Sequence, residues 1–201
     1  MKKSISYLLF SLSIPVTAAA QLQYSIGGGA ACPSAPQQFA DTWKTGITLE
    51  MGLELELSPS LFVFVQATHS RCAVDENAYL SASGFAGTMA TVSVSETSVS
   101  AGQAGVKAIL GPALAPVRPF VSAAAGYAYY RTENLNIFYT TYHASVPKHS
   151  ESAFSLSAGT GLQIPFGRSV DFFVEGNYLL GFTSGESTGF ILVRGGLLVE
   201  I

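Results

Sequence analysis

The sequence has few charged residues. Only 11% of its 201 residues are Asp, Glu, Lys or Arg, whereas a typical soluble domain has roughly 25%. Hydrophobic residues make up 48% of the chain. The chain therefore has too few charged residues for the surface of a typical soluble domain. Long apolar runs are missing as well, because Pro112 and Pro116 interrupt the nearest one. We therefore expect no transmembrane helix, which needs about 20 apolar residues.

An excess of basic residues is also absent. Ten Lys and Arg residues stand against 13 Asp and Glu residues, so no basic stripe could neutralise the phosphates of a nucleic acid. We expect no nucleic-acid partner. The two cysteines, Cys32 and Cys72, lie far apart and make no recognised metal-ligand spacing. We expect no metal site and no cofactor.

The N-terminus has the three parts of a secretory signal. Lys2 and Lys3 begin it, a short apolar stretch follows, and small residues end it at Ala20. The apolar stretch is too short and too broken to anchor the chain in a bilayer. The sequence therefore predicts a cleaved signal peptide at residues 1–20 and a mature domain at residues 21–201.

The segment from Ile47 to Leu57 alternates strictly. Its odd-numbered residues are large and apolar, and its even-numbered residues include Glu50, Glu54 and Glu56. Because the side chains of a strand alternate between two faces, this segment predicts a strand with one apolar face and one acidic face. Such a strand suits either a soluble sheet with a wet outer face or a barrel wall with lipid outside and a polar lumen.

Eight segments of this kind predict eight strands. Their approximate ranges are 22–30, 45–58, 61–71, 98–110, 119–132, 151–164, 170–182 and 190–201. The first, third, fifth and seventh connections are the longer ones, whereas the second, fourth and sixth are short or stiffened by proline. This alternation is typical of an outer-membrane barrel, with short periplasmic turns and longer extracellular loops. We therefore predict an all-β fold, a closed eight-stranded antiparallel up-and-down transmembrane β-barrel.

Charges of both signs lie on the polar faces of these strands, which otherwise carry mostly Gly, Ser, Thr and Gln. A soluble sandwich would place far more charge on an outer face. An eight-stranded barrel has an interior just wide enough for side chains to fill. We therefore predict a lumen ion-pair network formed by Glu50, Glu54, Lys107, Arg131, Asp171, Glu175 and Arg194.

Aromatic residues cluster near both ends of the predicted strands and suggest two interfacial girdles. Those assigned to the loop ends are Tyr127, Tyr129, Phe154, Phe182 and Phe190, and those assigned to the turn ends are Phe62, Phe120, Phe166 and Phe172. Ordinary aromatic enrichment of strands is the alternative explanation.

Cys32 and Cys72 both fall at predicted loop ends on the same side. An exported chain reaches an oxidising compartment, in which cysteines can pair. We predict a disulfide between them, and two unpaired thiols are the alternative.

Two strand segments resemble those of small bacterial outer-membrane barrels, the group that includes outer-membrane protein X and the transmembrane domain of outer-membrane protein A. They are residues 119–127 (PFVSAAAGY) and 159–167 (GTGLQIPFG). Residues 194–201 (RGGLLVEI) are similar to the C-terminal assembly signal of such barrels, although Ile201 replaces the usual terminal aromatic residue. The resemblance implies location in the outer membrane, contact with its lipid and recognition by the barrel-assembly machinery. Nothing follows strand eight in the sequence, so we expect no peptidoglycan-binding domain like that of outer-membrane protein A.

Three functions fit these expectations, and we expect the chain not to be an enzyme. The first is an integral barrel with a structural, adhesive or surface-binding role through its extracellular loops, whose ligand is unknown. The second is a lipid-modifying hydrolase, because His143 and Ser145 have the His-x-Ser spacing of lipid A deacylases. This pair lies in a predicted polar loop and not on a strand, which argues against catalysis. The third is a soluble exported carrier with a lipocalin-like cavity.

Overall fold

A computed structural model describes residues 21–84, 91–93, 96–112, 114–139, 142–167 and 169–201. The predicted signal peptide at residues 1–20 lies outside the described residues. The elements in chain order are β1 (Leu22–Ala35), α1 (Gln37–Thr42), β2 (Gly46–Ser58), β3 (Leu61–Ala73), α2 (Glu76–Ala82), β4 (Thr91–Val92), β5 (Glu96–Ile109), β6 (Arg118–Thr132), β7 (Leu135–Tyr139), β8 (Tyr142–Val146), β9 (His149–Pro165), β10 (Val170–Gly181) and β11 (Thr188–Glu200).

Eight of these strands close into an antiparallel barrel, which confirms the predicted fold. The strand order around the wall is β1, β11, β10, β9, β6, β5, β3 and β2, and β2 pairs with β1 to close it. Closure gives every barrel strand two hydrogen-bonded neighbours, so the wall has no open edge. The remaining strands, β4, β7 and β8, form a separate three-stranded sheet.

The two ends of the barrel differ. The turn end carries the short β2–β3, β5–β6 and β9–β10 connections together with Gln21 and Ile201. The loop end carries the other four connections, and three of them contain structure that the sequence analysis did not predict: α1, α2 and the three-stranded sheet. Helix α2 begins after Asp75, whose side chain accepts a hydrogen bond from the Ala78 amide at 3.2 Å. Asp is among the residues that best cap a helix N-terminus in this way.

The buried apolar side chains of the described residues form three clusters. The loop-end cluster fills the upper lumen and includes Ala31, Cys72, Tyr130, Phe190 and Leu192. Phe39 of α1 packs against it, with its ring 5.5 Å from that of Phe190 in an edge-to-face contact. The turn-end cluster fills the lower lumen with Phe62, Ile109, Phe120, Phe173 and Leu198. A third cluster lies among the loop-end elements and contains Val74, Val92, Leu135 and Ile137.

Helices contribute little to this architecture. Within the described ranges, neither short helix has the length and apolar character needed to cross a bilayer, a result that does not bear on strands.

Candidate functional site

Arg194 is the centre of the lumen. Its side chain is 0% exposed and contacts two carboxylates, forming ion pairs with Glu50 and with Glu175, the latter at 2.7 Å from Nη2 to Oε2. Glu175 also accepts hydrogen bonds from Ser122 Oγ at 2.7 Å and from Asn177 Nδ2 at 3.3 Å. The three charges come from β2, β10 and β11, so only the closed barrel brings them together. A buried charge is tolerated when it is paired and hydrogen-bonded, and Arg194 meets both conditions in its contact with Glu175.

Lys107 forms the second ion pair of the lumen, with Glu54. Its ammonium lies over two rings of the turn-end cluster, 5.0 Å from the centroid of Phe62 and 5.4 Å from that of Phe120. A cation over an aromatic face is attracted by the quadrupole of the ring. The aromatic rings therefore hold the lysine on the lumen axis and also close the lumen below it.

Asp171 pairs with a residue that the sequence reading missed. Arg118 forms an ion pair with it near the turn end, and Gln163 Nε2 donates a hydrogen bond to Asp171 Oδ2 at 2.6 Å. The predicted strand begins at residue 119, whereas β6 begins at Arg118. The inward-facing residues of β6, such as Phe120, have even numbers. A predicted strand that began at Arg118 would therefore have placed this side chain in the lumen.

Arg131 does not join the predicted network. It forms an ion pair with Glu133 at 2.5 Å, and its side chain is 43% exposed. On β6 the buried residues Phe120, Ala124, Ala128 and Tyr130 have even numbers. Arg131 is odd-numbered and therefore lies on the outer face. The alternation could have shown this, because Arg131 shares its parity with Val121 and Tyr127.

Glycines on the inner face leave room for the charged side chains. A Cβ atom on Gly159 would lie 2.4 Å from Glu175 Oε1, and one on Gly161 would lie 2.5 Å from the Phe120 ring and 2.4 Å from the Val174 carbonyl oxygen. The space left among Glu50, Lys107 and their neighbours is a cavity of about 20 Å³, which holds about one water molecule. The middle of the described lumen is therefore filled by side chains.

The outer wall is apolar. Its exposed side chains on the eight barrel strands include Ile26, Ile47, Leu49, Met51, Val65, Val106, Val121, Leu162, Val174, Ile191 and Val193. Ile47 is 65% exposed, while Glu50 on the other face of the same strand is buried. The polarity of the barrel is thus the reverse of that of a soluble protein.

The predicted girdles are correct in part. Tyr127, Tyr129, Phe154 and Phe182 are exposed near the loop end, and the rings of Phe154 and Phe182 stack at 6.1 Å. Phe166 and Phe172 are exposed near the turn end, 5.3 Å apart. The assignments of Phe62, Phe120 and Phe190 were wrong, because their positions in the alternation place these rings in the lumen, where each is at most 3% exposed.

The two cysteines are not bonded in the structure. Both thiols are free. Cys72 faces the lumen and donates to the carbonyl oxygen of Ala31 at 3.6 Å, whereas Cys32 lies next to Thr45, whose hydroxyl approaches its sulfur at 3.5 Å. Ala31 faces inward, so the next residue, Cys32, faces outward. The two side chains therefore point to opposite faces of the wall, and cysteines whose Cβ atoms point apart are not bridged without a movement of the backbone.

His143 and Ser145 lie on a strand and not in an irregular loop, which corrects the prediction for this pair. The backbone of β8 contains both residues, and they pair with Phe138 and Asn136 of β7. The strand belongs to the small loop-end sheet and not to the barrel wall.

A different histidine and serine meet on the outer wall. His69 Nδ1 lies 2.9 Å from Ser100 Oγ, and Arg71 Nε donates a hydrogen bond to His69 Nε2 at 3.2 Å. Because Arg71 donates to Nε2, the neutral ring carries its proton on Nδ1 and donates it to Ser100. In this arrangement His69 cannot accept the proton of Ser100, as a base for a serine nucleophile must.

Among the described residues, no group of three or more His, Cys, Asp or Glu side chains is arranged to hold a metal ion.

The fold matches solved outer-membrane barrels, although no protein-family model matches the chain and no curated protein matches its sequence. A major outer membrane protein from Thermus thermophilus superposes with a TM-score of 0.56 at 11% identity, over 90% of this chain and 99% of that chain. Neisserial surface protein A superposes with a TM-score of 0.51 at 11% identity, over 90% of this chain and 96% of that chain. Identities this low establish the fold alone. The chain has the fold of the small eight-stranded outer-membrane barrels.

Proposed function

We propose that this chain is an integral outer-membrane protein whose barrel wall spans the bilayer. The observation that carries the proposal is the reversed polarity of the closed wall, with large apolar side chains outside and Arg194, Lys107 and their carboxylates inside. An apolar belt around a whole barrel far exceeds the patches that soluble monomers expose. In a bilayer, lipid chains cover this apolar belt. The backbone N–H and C=O groups of the closed barrel form hydrogen bonds with neighbouring strands, so none of them needs water.

A soluble lipocalin-like carrier fits the lumen poorly. A carrier of that kind holds a small ligand inside its barrel, whereas here side chains leave a cavity of about 20 Å³ around the central ion pairs, and the larger recess of about 370 Å³ lies at the turn-end mouth. The proposal also assigns the turn end to the periplasm and the loop end to the outside, as in other barrels with short periplasmic turns.

Cell fractionation with heat-modifiable gel mobility tests the location. We expect the protein in the detergent-extracted outer-membrane fraction and a shift of its band on boiling. Recovery from the periplasm without detergent, with no shift, would contradict the proposal.

A pair of variants sharpens this test. Val193→Arg places a charge on the exposed middle of β11, which on a lipid-facing wall costs about 2–4 kcal/mol. We expect it to lower recovery of the folded barrel strongly. Ser150→Arg, at the loop end of β9, is the control and should leave recovery unchanged. Equal recovery of both variants would indicate a water-facing wall.

We further propose a surface-binding, adhesive role for the loop-end elements. The supporting observation is that β4, β7 and β8 form a sheet with its own apolar cluster, which Trp43, Tyr79 and Leu80 also contact. An ordered platform is better suited to binding than loose loops, because less conformational entropy is lost on association.

Replacing residues 135–146 by a short Gly-Ser linker tests this role. The variant should keep heat-modifiable mobility, but bacteria that display it should adhere less to an epithelial monolayer than bacteria displaying the intact barrel. Equal adhesion of the two would leave the barrel with a purely structural role.

Strand β11 is proposed as the segment that the barrel-assembly machinery recognises. It lies between β10 and β1, where it completes the wall. Its outer face ends in Leu197, Val199 and Ile201. The variant Ile201→Phe should raise the yield of folded barrel, because an aromatic residue is usual at this position of the assembly signal of such barrels. A lower yield would count against the assignment.

A further inference from the structure

One region of the outer wall departs from the apolar belt. It lies near the loop end, where β3, β5 and β6 run side by side. The register gives two polar rows: Arg71 pairs with Ser98 and Ser98 with Arg131, and one row lower His69 pairs with Ser100 and Ser100 with Tyr129. These side chains lie on the outer face by strand alternation.

Below these rows the wall is recessed. Ala67 pairs with Gly102, and the space above Gly102 is open for at least 4 Å. The resulting groove has a volume of about 560 Å³ and is bordered by Leu49, Met51, Ala67, His69, Ser100 and Gly102. This volume lies in the range of small-molecule sites. The groove is apolar along its length and polar only at its loop end.

The polar end of the groove presents hydrogen-bond donors. Arg71 uses Nε to contact His69, and no carboxylate among the described residues forms an ion pair with its guanidinium. The proton of the Ser100 hydroxyl is free, because His69 donates to Ser100. The other guanidinium of these rows, Arg131, is already paired with Glu133. Glu96 is the nearest carboxylate in register, one row above Ser98, and it forms no ion pair with Arg71.

This combination of donors selects an anion. A guanidinium with free N–H groups and an adjacent hydroxyl match the oxygens of a phosphate, and arginine suits phosphate better than lysine does because its donors form a planar fork. An unpaired cation on a lipid-facing wall is unfavourable in hydrocarbon but is well placed near the interface, at the depth of lipid phosphates. Tyr129, one row below Arg131, places the cluster at this depth, since exposed tyrosines favour the interface.

We propose that this groove binds one anionic, phosphate-bearing acyl lipid of the leaflet at the loop end, in preference to a zwitterionic lipid such as phosphatidylcholine. The phosphate lies against Arg71 and Ser100, and one acyl chain lies in the groove over Ala67 and Gly102. This inference rests on the proposed membrane location. It adds a specific lipid site to a wall that otherwise makes only general contact with the bilayer.

Spin-labelled lipids in nanodiscs test the site directly. The full chain is reconstituted in phosphatidylcholine containing a small fraction of spin-labelled phosphatidic acid or, separately, of spin-labelled phosphatidylcholine, and the motionally restricted fraction is measured. The intact protein should retain phosphatidic acid about tenfold more strongly than phosphatidylcholine, as expected for a charged hydrogen bond. Equal retention of the two lipids would overturn the proposal.

Two variants separate the parts of the site. Arg71→Gln should abolish the preference for phosphatidic acid, and Gly102→Leu should reduce retention by filling the groove. Gly176→Leu is the matched control, because Gly176 is also an outward-facing strand glycine with nothing within 4 Å, and it lies on β10, away from the groove. An unchanged preference in Arg71→Gln would overturn the proposal. So would an equal loss in Gly102→Leu and Gly176→Leu.

The source of the phosphate is tested in the same samples. Inorganic phosphate in excess should not displace the labelled lipid, because it lacks the acyl chain, and displacement would show a site for the free anion instead. Heat-modifiable mobility is measured on each preparation. A barrel that inserts and shows heat-modifiable mobility, but retains the two lipids equally, would contradict this inference alone. A chain that does not insert would contradict both the proposed membrane location and this inference.

Discussion

At the residue scale, Arg194 is the group on which the lumen charges depend. It is buried at 0% exposure between Glu50 and Glu175, and both carboxylates are themselves buried. Removing the guanidinium would leave two like charges facing each other without a cation. Removing one member of a buried ion pair costs much more stability than replacing all of its members, because it leaves an unpaired charge in the interior.

Arg194→Gln should therefore destabilise the barrel by about 3–5 kcal/mol. The midpoint of urea-induced unfolding, followed by gel mobility in detergent micelles, measures the change. Two controls accompany it. Arg131→Gln removes an exposed ion pair and should cost about 0–1 kcal/mol, and the triple variant Glu50→Gln, Glu175→Gln, Arg194→Gln should recover most of the lost stability. A single variant as stable as the intact barrel would show that the three charges do not depend on one another.

The cysteines give a second prediction at this scale. Cys72 is 2% exposed in the lumen and Cys32 is half-buried on the outer face. Maleimide should label Cys32 but not Cys72 in the folded barrel in micelles, and it should label both after unfolding. Cys32→Ser, which should take no label while folded, is the control. A linked Cys32–Cys72 peptide in a non-reduced digest would contradict the structure.

At the scale of elements, inward glycines determine how closely β9 and β10 pack around the lumen. Gly161 of β9 faces the Phe120 ring and the Val174 carbonyl, whereas Gly176 of β10 has nothing within 4 Å. The two glycines lie on adjacent, paired strands but on opposite faces of the wall. Substituting each glycine by alanine therefore distinguishes two effects on stability: steric overlap in the lumen, expected only at Gly161, and the loss of a flexible residue from a strand, expected at both positions.

Gly161→Ala should destabilise the barrel by about 1–3 kcal/mol, because the new methyl group overlaps backbone and ring. Gly176→Ala should be neutral or stabilising by up to about 1 kcal/mol, since glycine is a weak strand former. Urea midpoints of the two variants provide the comparison. Equal changes would mean that space in the lumen is not limiting.

The connection between β10 and β11 is held by a charged contact at the loop end. Glu151 of β9 accepts a hydrogen bond from the Ser184 amide at 2.5 Å. This bond lowers the pKa of the Glu151 carboxyl, with a further lowering from His149, whose Nε2 lies 3.7 Å away. A carboxyl whose pKa is lower in the folded state stabilises that state above its ordinary pKa, and this stabilisation is lost as the pH falls through the folded-state pKa.

We therefore expect the Ser184 amide resonance to shift as the pH falls below the ordinary range of a glutamate, with a midpoint below that range. An NMR titration of the folded barrel in micelles measures this shift. Glu151→Gln is the control and should remove the titration, because the amide side chain carries no titrating proton. A midpoint at or above the ordinary glutamate pKa would contradict the contact.

At the scale of the whole molecule, the lumen is layered. A charged layer around Arg194 and Lys107 lies between the loop-end cluster and the turn-end cluster, and α1 packs on the former through Phe39. Water is therefore kept from the ion pairs on both sides, which strengthens their attraction. The layering also leaves no continuous aqueous path through the described lumen.

The intact barrel should not conduct ions. Planar-bilayer recordings should show no steady current above that of the lipid alone, because an eight-stranded barrel filled by its own side chains has no aqueous channel. A sixteen-stranded porin in the same bilayers is the positive control. Stable single-channel steps from the purified chain would show that the charged layer opens.

The sequence by itself determined the wall of this barrel. Strict alternation from Ile47 to Leu57 decides which side chains of β2 face outward, since the period of a strand is fixed by its backbone. The same rule, applied consistently, would also have placed Arg131 outside and Phe190 inside. The even strand count and the positions of the turns followed from turn residues and prolines.

Only the tertiary structure decided which side chains meet. The pairing of Glu50 with Arg194, of Arg118 with Asp171 and of His69 with Ser100 depends on strand register and on closure between β1 and β2, which no local pattern encodes. Periodicity acts along one strand, whereas a contact across the lumen or between neighbouring strands depends on how the strands are staggered around the barrel. The alternation of polar and apolar residues therefore determines the two faces of the wall. The stagger of the strands determines which charged side chains form the ion pairs of the lumen and which polar side chains border the groove on the outer face.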